Sequence, residues 1–153
     1  MKISDFLSPE AVLPALGATE KRGVLAEMCS PIASAHPELP RDRLLSVLEE
    51  RERLGSTGIG EGVAIPHGKL PGLPGLLASF GRSVNGVDFE AIDGRPTHLF
   101  FTLFAPENAA GVHLKALARI SRLFKNAAFR SAIMAAPDAA TIYRLITEED
   151  AKY

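Results

Sequence analysis

Thr97-His98-Leu99-Phe100-Phe101-Thr102-Leu103-Phe104 is an almost wholly apolar run. Successive residues of a strand point to opposite faces, so Leu99, Phe101 and Leu103 fall on one face and Phe100 and Phe104 on the other. A strand that is apolar on both faces sits centrally in a sheet and needs helices on both sides. The flanking sequence supplies them. Downstream, helices are expected over Val112–Lys125, with an inward stripe of Leu114, Leu117, Ile120, Leu123 and Phe124, then over Phe129–Ala135 and Ala139–Thr147. Upstream, Thr19 is placed to cap a helix reaching Ala35, whose stripe is Val24, Leu25, Met28, Cys29 and Ile32. His36-Pro37 closes it, because a residue before proline avoids the α region. A second helix follows Pro40, turns Leu44, Leu45, Val47 and Leu48 inward and ends at Gly55. Further strands are expected at Val12–Leu16, which Pro14 makes an edge, at Val63–Ile65, at Leu76–Phe80, and at Val87–Phe89 before an Asp93-Gly94 turn. The expectation is an α/β fold, a single three-layer α/β/α domain over residues 1–153 with a mixed central β-sheet.

Composition narrows the function classes. Seventeen basic against eighteen acidic residues leave a net charge of -1, which gives no field to draw nucleic acid or an anionic membrane. No apolar run approaches the roughly 18 to 20 residues that span a bilayer, so no membrane insertion is expected, and Met1–Phe6 lacks the regions of a signal peptide. The one cysteine, Cys29, permits no intrachain disulfide and fits a reducing cytoplasm; its place on an apolar stripe makes it a packing residue.

The stretch richest in chemistry is Gly55–Leu70, which reads Gly-Ser-Thr-Gly-Ile-Gly-Glu-Gly-Val-Ala-Ile-Pro-His-Gly-Lys-Leu. It carries His67 just past an apolar strand that Pro66 ends, at the rim of a sheet, among glycines that let the main chain come close to a ligand. The residues alone leave several readings of His67 open. It can be a turn histidine bonded to a carbonyl, or a nucleophilic or acid/base histidine on a rigid strand end. A metal role is disfavoured because no further ligand stands at i+2 or i+4. A nucleotide loop is excluded, since neither Gly-Lys-Ser/Thr nor a helix-opening Gly-x-Gly-x-x-Gly is present. His113 stands in the first turn of a helix, where free N–H groups and the macrodipole favour an anion, and where a backbone hydrogen bond is the simpler alternative. His36 and His98 are assigned no role.

Arg51-Glu52 followed by the Gly55–Leu70 string resembles the active-site signature of the fructose/mannitol-type enzyme IIA domains of the bacterial phosphotransferase system. The resemblance continues, in order, through Val87–Pro96, Leu103–Pro106 and His113–Leu117, and so covers nearly the whole chain. Within that family it is strongest to the nitrogen-branch members, through Gly-Ser-Thr-Gly-Ile-Gly ahead of Ala-Ile-Pro-His-Gly-Lys-Leu and through the lack of an attached IIB or membrane domain.

The resemblance implies a cytoplasmic histidine phosphocarrier. His67 accepts a phosphoryl group from a carrier of the HPr or NPr kind, itself charged from phosphoenolpyruvate through enzyme I, and no cofactor or metal is called for. His113 supports the reaction by bonding the phosphoryl group or orienting the first ring, and Arg51 adds a charge-assisted contact. Ser56, Thr57 and Gly58 are phosphate-loop candidates, although Ser56 and Thr57 are equally suited to forming the turn. Glu52 and Glu61 repel phosphate and are better suited to ion pairing or partner recognition, and Lys69 is a partner contact. In the nitrogen branch the phosphorylation state signals to targets such as potassium-transport regulators or sensor kinases. A sugar-specific IIA that passes phosphate to a IIB domain is the alternative. A binding module without catalysis is a third, weakened by the presence of both His67 and His113.

Overall fold

The computed structural model describes residues 1–153. After short 3-10 turns at Ile3–Asp5 and Pro9–Ala11, the elements are β1 (Val12–Leu13), α1 (Lys21–Ala35), α2 (Arg41–Arg53), β2 (Gly58–Gly60), β3 (Val63–Ala64) and β4 (His67–Leu70). The remainder are β5 (Leu77–Val87), β6 (Thr97–Pro106), α3 (Ala110–Phe124), α4 (Ala127–Ala135) and α5 (Ala139–Asp150).

β6 is central, as its two apolar faces require. The strand order is β1-β5-β6-β3-β2, and β4 pairs with β6 beyond the end of β3. β5 runs antiparallel to β6, β1 is parallel to β5, β3 and β4 are parallel to β6, and β2 is antiparallel to β3. The sheet is therefore mixed. On one face Leu99, Phe101 and Leu103 meet Ile120, Leu123 and Phe124 of α3, Ile133 of α4, and Ile142 and Ile146 of α5. On the other, Phe100 and Phe104 meet Val24, Met28 and Ile32 of α1 and Leu44 and Leu48 of α2. Each such side chain is worth about 1.5–3 kcal/mol on full burial. Phe80 stacks on Phe124 with centroids 5.8 Å apart, which ties the sheet to α3.

Several elements depart from the sequence reading. β1 stops at Leu13 rather than Leu16, because Pro14 has no N–H for the ladder; its carbonyl instead accepts from Arg82 Nε at 2.9 Å. The strand expected at Leu76–Phe80 is the eleven-residue β5, and the separate strand at Val87–Phe89 does not exist. Val87 ends β5 after a register shift, and Phe89 leaves the sheet to lay its ring against Phe100 at 5.3 Å. Thr19 does not cap α1. Glu20 occupies that position without a side-chain bond, and the Glu27 carboxylate reaches back to accept from the N–H groups of Gly17 and Ala18.

α3 keeps Ile120, Leu123 and Phe124 of its expected stripe and departs from it only in its first two turns. His113, Ala116, Ile120, Leu123 and Phe124 face inward, whereas Leu114 is 67% exposed and Leu117 only partly buried. On α2, Val47 is half-buried rather than core. α4 starts two residues early, where Asn126 accepts from Phe129 N, and α5 is capped by Asp138 and runs on to Asp150. Asp150 closes the fold. Its carboxylate accepts from Ile3 N at 2.7 Å and from Arg119 Nε at 2.5 Å, joining the first turn, the last helix and α3. No helix is long and apolar enough to cross a membrane.

Candidate functional site

β3 and β4 lie end to end along one edge of β6, with Val63 opposite Leu99 and His67 opposite Leu103. The line breaks at Ile65-Pro66, because proline brings no N–H. Ile65 N donates to Thr57 O at 3.0 Å, and Leu103 N donates to Pro66 O at 2.9 Å. The Ile65 carbonyl is thereby free to receive His67 Nδ1 at 2.6 Å. A carbonyl only accepts, so Nδ1 carries the proton and the lone pair of the neutral ring lies on Nε2, which has no partner within the protein. His67 lies just past the apolar strand, as expected, and in addition opens β4, where it is half-buried.

Burial is the largest influence on this ring and lowers its pKa below the ordinary value of 6.5, with nearby Arg51 acting the same way. The Ile65 carbonyl and Glu52 act in the opposite sense and do not outweigh burial. His67 is therefore neutral at neutral pH. His113, in the first turns of α3, sits with its ring centroid 5.5 Å from that of His67 at an interplanar angle of 74°. It is 6% exposed, and its Nε2 is buried with no hydrogen-bond partner. Burial first, then repulsion from the His67 ring whenever that ring is protonated and from Lys69, hold its pKa below the ordinary range as well.

A cavity of about 550 Å³ brings Arg51, His67, Lys69 and His113 together between Val47, Leu54 and Gly68. The glycine is required there. A Cβ on Gly68 would stand 2.3 Å from Val47 Cγ1, so β4 and α2 approach more closely than any side chain permits. That approach delivers the last turn of α2 to His67. Arg51 then secures the turn, its Nη1 donating to Gly55 O at 2.9 Å. Leu54, 84% exposed, lines the opening together with Glu50, and Arg51 and Lys69 are its cations.

Ser56, Thr57 and Gly58 do not line this cavity. Ser56 Oγ donates to Phe89 O at 2.7 Å and accepts from Gly58 N at 3.0 Å. Thr57 bonds Glu52 through both its hydroxyl and its backbone N–H, and Gly58 packs against Ala91. Glu52 pairs with Lys21 at 2.9 Å, and Glu61 faces Arg130 at 3.5 Å. The sequence marks Val47 only as an inward residue and singles out neither Glu50 nor Leu54, which also line the cavity, nor Lys21, the partner of Glu52. Lys21 gave no signal, whereas an apolar Leu54 between a charged helix end and Gly55 was a visible oddity.

The arrangement offers a neutral imidazole with one fixed proton and one free lone pair, next to a second ring with an unpartnered nitrogen and a guanidinium. Comparison with known proteins follows the same line. The family model for the phosphoenolpyruvate-dependent sugar phosphotransferase system, EIIA 2, matches residues 5–149. The chain is similar to a nitrogen regulatory protein of Bradyrhizobium diazoefficiens, 44% identical over 146 residues and 95% of each chain. It is 36% identical over 150 residues to the fructose-specific EIIABC component of Bacillus subtilis, covering 98% of this chain and 24% of that protein. Among solved structures, the nitrogen regulatory protein IIA-Ntr from Neisseria meningitidis superposes with a TM-score of 0.88 at 32% identity, over 95% of this chain and 99% of that one. The IIA mannitol protein of Escherichia coli shares the fold, with a TM-score of 0.74 at 16% identity over 91% of this chain and 97% of that one.

Proposed function

This chain belongs to the EIIA 2 family of the phosphoenolpyruvate-dependent sugar phosphotransferase system, and on that premise we propose that it is a cytoplasmic histidine phosphocarrier of the nitrogen branch. His67 takes a phosphoryl group from a phosphohistidine carrier of the HPr or NPr kind, and the phosphorylated and free forms are read by regulatory targets such as potassium-transport regulators or sensor kinases. One observation carries the reading above all: the Ile65 carbonyl fixes the Nδ1 proton of His67 and leaves Nε2 as the nucleophile. The Nε2 lone pair attacks phosphorus, the P–N bond of the donor breaks, and the donor ring keeps that electron pair. As the His67 ring takes up positive charge, its Nδ1–H stays held by the carbonyl. His113 and Arg51, on the same cavity, bond the phosphoryl oxygens; hydrogen bonds to a charged group are worth about 1.5–3 kcal/mol each. The change of about two negative charges at an exposed rim is what a target distinguishes.

The test is reconstitution. The protein is incubated with phosphoenolpyruvate, enzyme I and each candidate carrier, and the acid-labile phosphate is mapped by mass spectrometry. Label on His67, lost in His67→Ala without a change in melting temperature, is expected. Label on His113, or full label on His67→Ala, overturns the assignment. The relative from Bacillus subtilis, named as a fructose-specific EIIABC component, favours a second reading in which the acceptor is a IIB domain. Capture of a IIB domain alone by the phosphorylated form, with loss of sugar uptake on deletion, would establish it.

A further inference from the structure

Two cavities, of about 580 and 430 Å³, flank the β2–β3 turn, and Glu61 and Arg130 line both of them. Neither includes Arg51, His67 or His113. The larger is walled by His98 and Leu99 of β6 and by Ala127, Ser131, Met134 and Ala135 of α4, a partly apolar lining of the size that takes a small organic molecule. Arg130 Nη1 donates to the carbonyls of Phe124 at 2.8 Å and Lys125 at 3.0 Å, which anchors the guanidinium at the end of α3. Its other nitrogen, Nη2, meets only a Glu61 carboxylate oxygen, at 3.5 Å. That is beyond the 2.7–3.2 Å of a good N–H···O bond. The Arg130 side chain is 17% exposed and that of Glu61 is 68% exposed, so a mostly buried, pre-oriented cation has only a loose surface carboxylate as its counter-ion. Glu61 reaches it from a backbone φ of 57°, a conformation that non-glycine residues seldom adopt. An arginine fork held along one edge is suited to bidentate capture of a carboxylate along the other.

We infer that the larger cavity is a binding site for a small organic carboxylate, whose charged group displaces Glu61 from Arg130 and whose apolar body rests on Leu99 and Met134. Glu61 is the built-in stand-in for that ligand. The site lies up β6 from the phosphoryl centre, since Val63 pairs with Leu99 whereas His67 pairs with Leu103. Four residues of strand make roughly 13 Å at ~3.3 Å each. A ligand there leaves the His67 cavity open, and the proposal stands whether or not His67 carries phosphate.

Titration of the full chain with benzoate, followed by amide NMR, tests it. Saturable shifts are expected at Gly62, Leu99, Ala127 and Ser131, with none from the neutral analogue benzyl alcohol. Glu61→Gln removes the internal competitor and is expected to tighten benzoate severalfold. Arg130→Gln is expected to abolish the shifts, and because Arg130 also braces α3, its melting temperature is measured alongside. Arg130→Lys keeps the charge but loses the fork, and weakens binding without abolishing it. Four outcomes overturn the proposal: no saturable shift in the wild type and in Glu61→Gln, equal shifts with benzyl alcohol, equal affinity for inorganic phosphate, or shifts centred on His67 and His113.

Discussion

Because burial holds both His67 and His113 below the ordinary histidine pKa of 6.5, each ring stays neutral under mildly acidic conditions that would protonate an exposed imidazole. The initial rate of phosphoryl acceptance is therefore expected to stay level as pH falls through 6.5 and to drop only at lower pH, in a profile measured with a fixed amount of phosphorylated carrier. Stability follows the same groups with a definite sign. Below 6.5 the unfolded chain binds protons at these two positions that the folded chain does not. Their contribution is complete above 6.5 and is lost as pH falls from there toward the lowered folded values, so urea midpoints should decline over that interval more in the wild type than in His67→Ala. His113→Ala should still accept phosphate, but about 10- to 100-fold more slowly, as expected for loss of one hydrogen bond to a charged group; single-turnover labelling reads this directly. Sequence spacing alone could not bring Arg51, His67 and His113 together, and it was the family resemblance that grouped them. The structure shows how they meet, through parallel pairing of β4 with β6 and a glycine contact with α2. The partners of Ser56 and Thr57 were not legible at all, because they are the Phe89 carbonyl and the Glu52 side chain.

Among the elements, the packing of β4 on α2 depends on what Gly68 lacks. Gly68→Ala forces a methyl group into stiff, β-branched Val47 and should cost about 1–3 kcal/mol by overpacking. Adding Val47→Ala should restore most of that stability in chemical denaturation, and the double mutant should recover labelling at His67. β6 was readable because a run apolar on both faces has one place in a sheet. β4 was not, since Gly68 and Lys69 are poor strand formers that only pairing with β6 makes extended. β5 was cut short in the reading because Gly81, Arg82 and Ser83 do not look like buried strand. Arg82 is buried there only because its guanidinium finds the carbonyls of Pro14, Ile133 and Ala136. The α3 stripe is legible at Ile120, Leu123 and Phe124 but not at its start, where apolar periodicity favours Leu114 and the structure buries His113 instead.

At the scale of the whole molecule, two apolar layers meet across β6, and Asp150 fastens the periphery. Asp150→Ala leaves Arg119 without its carboxylate and Ile3 N without its acceptor. The expected loss is about 3 kcal/mol, or roughly 6–12 °C in melting temperature by calorimetry, with labelling at His67 intact below the transition. The same bond has a topological meaning. Residues 147 positions apart in sequence are joined at 2.7 Å, so the fold is nearly a closed loop of chain whose seam could be moved. A short Gly/Ser linker from Tyr153 to Met1, with new ends opened at Gly94, where a Cβ would meet nothing within 4 Å, should give a circular permutant with the same sheet and a phosphorylatable His67.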